Sequence, residues 1–135
     1  MRVLILVIFF MVSLSVNGQE IGSVQSGEHS IKILKNNDIF SFVYSDVNSN
    51  SQKFLNSFLF IDKSSLYSLL MDGFESENDH QMIVQMIQDT IVKFEFKNIK
   101  GRQLLKIKQN NLSTQTFGTS IFFTKDEILQ LFGKV

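Results

Sequence analysis

Two histidines each follow a carboxylate in this chain, His29 after Glu28 and His80 after Asp79. An imidazole beside a carboxylate can serve as a general acid or base, or contribute to a divalent metal site. Tetrahedral zinc wants three or four ligands, and neither pair has the remainder of such a set at a workable spacing. Both pairs lie in polar stretches that read as loops, where the side chains face solvent and no fixed reaction partner stands. The serines do no better, because none sits in a nucleophile elbow with a base at a recognisable position. No glycine-rich phosphate loop is present either. The residues therefore name no catalytic, cofactor-binding or metal-binding set and imply no cofactor. A small hydrolase or metal-assisted enzyme using Asp79, His80, Glu28 and His29 is kept as the alternative reading.

The other chemistry in the chain is charge. Lys93, Lys97, Lys100, Arg102, Lys106 and Lys108 crowd one stretch in which Glu95 is the acid. Strand alternation would turn Lys93, Lys97, Lys106 and Lys108 to the outside, forming a basic surface suited to an anionic glycan or an acidic envelope protein. The same alternation turns Ile39, Val43, Ile91 and Leu104 outward, where apolar side chains can mark a partner surface or a homodimer through the exposed sheet face. Charged outer faces also serve simply to keep a sheet soluble. Nucleic acid is not expected, since Phe94 and Phe96 point to the opposite face and cannot stack on bases. The connector from Asp62 to Asp79 is acidic, so the chain is dipolar.

These side chains are positioned by a unit that occurs twice. The segment IKILKNNDIFSFVYSDV from Ile31 aligns without a gap against IVQMIQDTIVKFEFKNI from Ile83, and FIDKSSLYSLL aligns with FTKDEILQLF. Each copy reads strand, turn, strand, strand, helix, and each leaves an apolar face that only the other can cover. Phe40, Phe42 and Tyr44 in the first copy match Val92, Phe94 and Phe96 in the second, and these six face the core. Asn37 with Asp38, and Gln88 with Asp89, make the turns. The segment from Gln81 fits both periods, and its β-branched content assigns it to a strand. Asp62 caps a first helix carrying Leu66, Leu69 and Leu70, which Gly73 ends. Thr124 and Glu127 form a capping box for the last helix, which carries Ile128, Leu131 and Phe132 and stops at Gly133. The second copy is longer by about ten residues around QNNLSTQTFGTS, as loop or strand extension.

At the start, Met1 and Arg2 precede a run of 14 largely apolar residues, VLILVIFFMVSLSV. That is short of the roughly 17 to 25 that span a bilayer, so residues 1–18 read as a signal peptide cleaved after Gly18, leaving no stable membrane anchor. The expected localisation is secreted or periplasmic. Residues 19–29 read as a flexible lead-in, and residues 30–135 as one domain, with repeats over about 30–76 and 81–135. Such a chain buries roughly two thirds of the surface its unfolded form exposes. With no cysteine available for a disulfide, the 14 phenylalanines must supply the core.

With MDGFES at Met71, DTIVKFEF at Asp89 and FTKDEILQLFGK at Phe123, the region from about residue 30 onward resembles a group of small exported proteins of Bacteroidetes-type bacteria. The resemblance implies export and fold. It brings no established activity, so no site residue passes from it to this chain. The combined expectation is an α+β domain of two pseudo-symmetric β-β-β-α repeats, with a mainly antiparallel sheet of about six strands and both helices on one face. Its expected role is a noncatalytic binding or protein-interaction module. An inhibitor or accessory subunit of an exported enzyme is a further alternative.

Overall fold

Period-two alternation becomes strand in the computed structural model, which describes residues 18–47 and 55–134. In the first half β1 (Gln19–Ser26), β2 (His29–Asn36), β3 (Ile39–Ser45) and β4 (Leu55–Phe60) pair in that order, and α1 (Lys63–Glu75) follows. In the second half β5 (His80–Met86), β6 (Thr90–Ile99), β7 (Arg102–Asn111) and β8 (Thr116–Thr124) pair in order, and α2 (Lys125–Leu131) closes the chain. All the pairings are antiparallel. The class is α+β with two similar repeats. Each repeat holds four strands rather than three, and the strands form two sheets rather than a single one of about six.

The additional strand of the first repeat comes from a stretch whose polarity hid it. Residues 19–29, expected as a flexible lead-in, contain all of β1, which pairs with β2 through a bulge between Glu20 and Gly22. As an edge strand β1 buries Val24 and leaves much of the rest exposed, so its alternation is weak. The added length of the second copy supplies the end of β7, the turn at residues 112–115 and the start of β8. A consequence is that the gap-free sequence alignment slips by one strand. It superposes β2 and β3 on β5 and β6, whereas chain order makes β2 the counterpart of β6 and β3 that of β7. Two hairpins built on the same alternation look alike wherever they sit.

The expected signal peptide lies, apart from Gly18, outside the described residues, and its expected cleavage point falls directly before Gln19, the first residue of β1. Among the described residues no helix is long and apolar enough to cross a membrane.

One core joins the halves. Ile31, Ile33, Phe42, Tyr44, Phe58 and Phe60 from the first sheet meet Val92, Phe94, Phe96, Leu105, Ile107 and Phe123 from the second. Phe58 is the hinge of this aromatic contact, stacked on Phe42 at 5.0 Å and edge-on to Phe94 at 6.1 Å. Of the six alternating residues expected inside, five are fully buried, and Phe40 is partly buried at the margin. The helices cross over between halves. α1 packs on β6 and β7 of the second sheet, and α2 reaches β1 and β2 of the first while also touching β7 and β8.

The caps follow the sequence closely. Asp62 accepts from the Ser65 amide at 3.0 Å and the Ser65 hydroxyl at 2.7 Å. Thr124 and Glu127 complete a reciprocal capping box. Gly133 has φ 73°, and the Lys134 amide returns to the Leu129 carbonyl at 2.9 Å, a Schellman closure. Gly73 differs from expectation. It lies inside α1, which runs on to Glu75, and a Cβ at this position would strike the ring of Phe96. Its smallness serves helix-to-sheet contact, not helix termination.

Candidate functional site

The outer face of the second sheet is built by three interior alternations. In β6, Val92, Phe94 and Phe96 are buried, so Ile91, Lys93, Glu95 and Lys97 take the other side. In β7, Leu105, Ile107 and Gln109 are buried, so Leu104, Lys106 and Lys108 stand out. In β5, Gln81, Ile83 and Gln85 complete the face.

Register then fixes the electrostatics. Lys93 lies directly opposite Lys108, and Glu95 directly opposite Lys106. Like charges directly opposite on neighbouring strands are destabilising. Glu95 reaches diagonally to Lys108, with Nζ and Oε2 3.2 Å apart. Lys106, facing Phe122 on β8, places its Nζ 4.4 Å from that ring's centroid in a cation–π contact. Lys93 has no ion-pair partner among the described residues. Lys97 is exposed nearby, opposite Leu104.

The expected partner surface is therefore divided. Lys93, Lys97, Lys106, Lys108, Ile91 and Leu104 share this face, while Ile39 and Val43 belong to the first sheet. Ile39 is exposed at 42 %, but Val43 is buried, which corrects its reading as an exposed position. The reason is its place on the interior strand β3, flanked across the sheet by Lys32 and Ser57. Ile91 and Leu104 are half-buried for the same reason. The most exposed apolar side chain beside the lysines is Ile83, at 63 % exposure and opposite Lys93. It is legible in sequence as the apolar centre of a strand whose outer neighbours are both Gln.

At the seam between the sheets the ends of β4 and β5 and the first turns of α1 enclose a groove of about 410 Å³. Phe60, Ile61, Leu66, Leu69, Val84 and Met86 make it mainly apolar, with Asp62, Ser65 and Gln85 as its polar groups. The hydrogen bonds from Ser65 hold the Asp62 carboxyl below its ordinary range.

The histidines are not brought into a constellation. His80 stacks on Phe96 with ring centroids 5.0 Å apart, and its Nδ1 lies 3.0 Å from the Asn78 carbonyl, to which it donates. Asp79 turns away to accept the Asn98 amide at 2.7 Å, acting as a loop latch. His29 opens β2, paired with Ser26, and Glu28 is exposed in the turn before it. Among the described residues no group of three or more His, Asp or Glu could hold a metal ion. No protein-family model matches the chain, and no curated protein is significantly similar to it.

Proposed function

We propose that the protein is an exported, noncatalytic binding module that receives an anionic partner, an acidic envelope protein or an anionic glycan, on the outer face of its second sheet. The observation that carries this reading is the cross-strand opposition of Lys93 and Lys108, of which only Lys108 has a carboxylate partner among the described residues. A bound anion would relieve that repulsion and complement Lys106 and Lys97 on the same face. Export is supported by the short apolar leader.

The experiment is binding of the mature chain to a uronic-acid polysaccharide and to proteins of an envelope extract, compared with a Lys93→Glu, Lys106→Glu, Lys108→Glu variant. Binding should be lost in the variant and weakened by salt, because exposed charges are screened over a Debye length of about 8 Å at physiological ionic strength. His80→Ala should bind as the unaltered protein does. Salt-insensitive binding that survives the charge reversals would remove this reading.

A further inference from the structure

The two sheets have four edge strands, and the protein blunts them unequally. β1 is bulged at Glu20 to Gly22, and the Leu131 carbonyl of α2 lies where a Gly22 side chain would be. β8 shifts register opposite Lys106 to Lys108 and is held by the segment after β3, with the Val47 amide donating to the Thr119 carbonyl at 2.8 Å. β4, itself without charge, proline, glycine or a register shift, touches β5 at the seam between the sheets and turns into α1 two residues after its end. β5 has no bulge or charge of its own. Its seven residues, HQMIVQM, include no Lys, Arg, Asp, Glu, Pro or Gly and pair with β6 without a register shift. Edge strands of soluble proteins ordinarily carry charge, proline or a bulge against further pairing.

The strand is also nearly palindromic in chemistry. Outward side chains run Gln81, Ile83, Gln85 about the central Ile83, and the inner face places Met82 and Val84 symmetrically on either side. Self-complementarity of this kind is what a two-fold, isologous contact requires. We infer that β5 pairs antiparallel with β5 of a second copy about a two-fold axis at Ile83, making one continuous eight-stranded sheet across the dimer.

In that register Ile83 faces itself, Gln81 faces the partner's Gln85, and Met82 faces the partner's Val84. Directly opposed residues share a face, so the partner's Met82 lies on the side where Val84 lines the groove. Ile83 and Ile61, the two most exposed aliphatic residues described at 63 % and 60 %, lie on β5 and in that groove. The new ladder carries no Asp, Glu, Lys or Arg, so no like charges meet along it. The two basic faces would then continue into each other. The dimer does not depend on what those faces bind.

The chain has no cysteine, so a single introduced thiol reports the contact without background. Opposed Cα atoms about 4.5 to 5.5 Å apart suit a disulfide. Under mild oxidation, Ile83→Cys should cross-link at least tenfold faster than Phe117→Cys, an exposed control on β8, because pairing raises the local thiol concentration. Gln81→Cys mixed with Gln85→Cys should give the heterodimer, while neither alone links well. Light scattering should find a dimer mass for the unaltered protein and a monomer for Ile83→Lys, which sets two lysines face to face. A monomer mass at every concentration, with Ile83→Cys no faster than the control, would overturn the inference. So would efficient self-linking of Gln81→Cys, which reports a parallel or shifted register.

Discussion

Tyr44, near the end of β3 in the first sheet, donates its hydroxyl to Gln109 Oε1 in β7 of the second sheet over 2.7 Å, and both residues are buried. Gln109 passes the link back by donating from Nε2 to the Ser57 carbonyl at 2.9 Å. An apolar core fixes how much surface two sheets share but tolerates sliding between similar hydrophobic contacts. A buried polar pair tolerates little, because each misplaced atom loses its partner in a medium that offers no water. The close packing of Gly118 under the Tyr44 hydroxyl, where any Cβ would collide, adds a steric stop to the same register.

Tyr44→Phe should destabilise the fold by about 1 to 3 kcal/mol, since it leaves the Gln109 acceptor buried and unpaired. Urea titration of Tyr44→Phe, Gln109→Leu and the double variant measures the coupling, and the double variant should cost less than the two single costs together. Burial first, and the Asp46 carboxylate second, push the Tyr44 phenol far above its ordinary value. The folded state therefore holds a proton that the unfolded chain releases near pH 10. Stability from this group is fully present below that pH and falls as pH rises beyond it, toward the folded-state value. Tyr44→Phe should flatten that alkaline decline, and an unchanged slope would show that another group causes it.

Gly73→Ala should destabilise, against the usual helix rule. In an exposed helix interior alanine is better than glycine by about 1 kcal/mol. Here the added methyl meets Phe96, which is fully buried and edge-on to Phe74 at 5.2 Å, so the ring has nowhere to retreat. Overpacking of this kind typically costs about 1 to 3 kcal/mol. A denaturation midpoint above that of the unaltered protein would mean that α1 shifts away from β6 at little cost.

Thr124→Ala should cost about 0.5 to 2 kcal/mol, because the Glu127 amide loses its acceptor at 3.1 Å. Thr124→Ser should recover most of it. Glu127→Ala removes the reciprocal bond to the Thr124 amide at 2.8 Å and should be destabilising in the same equilibrium titration. Should Thr124→Ala melt with the unaltered protein, packing of Ile128 and Leu131 alone holds α2 in place.

What could be read without coordinates was whatever a few neighbouring residues decide among themselves. Alternation in β3 and β6 placed Phe42 and Phe94 inside and Lys93 outside, since successive side chains of a strand leave opposite faces. The caps at Asp62 and Thr124 and the stop at Gly133 rest on bonds spanning three to five residues. Tertiary structure decided the rest, because it depends on neighbours distant in sequence. β1 is a strand through its pairing with β2, although its own residues are mostly polar and exposed. Val43 is covered and Ile83 bare because one lies on an interior strand and the other on an edge, a difference of sheet order that period-two patterning cannot express. Gly73 spares room for a ring from the other repeat, and the Lys93–Lys108 opposition exists only once β6 and β7 have taken their register.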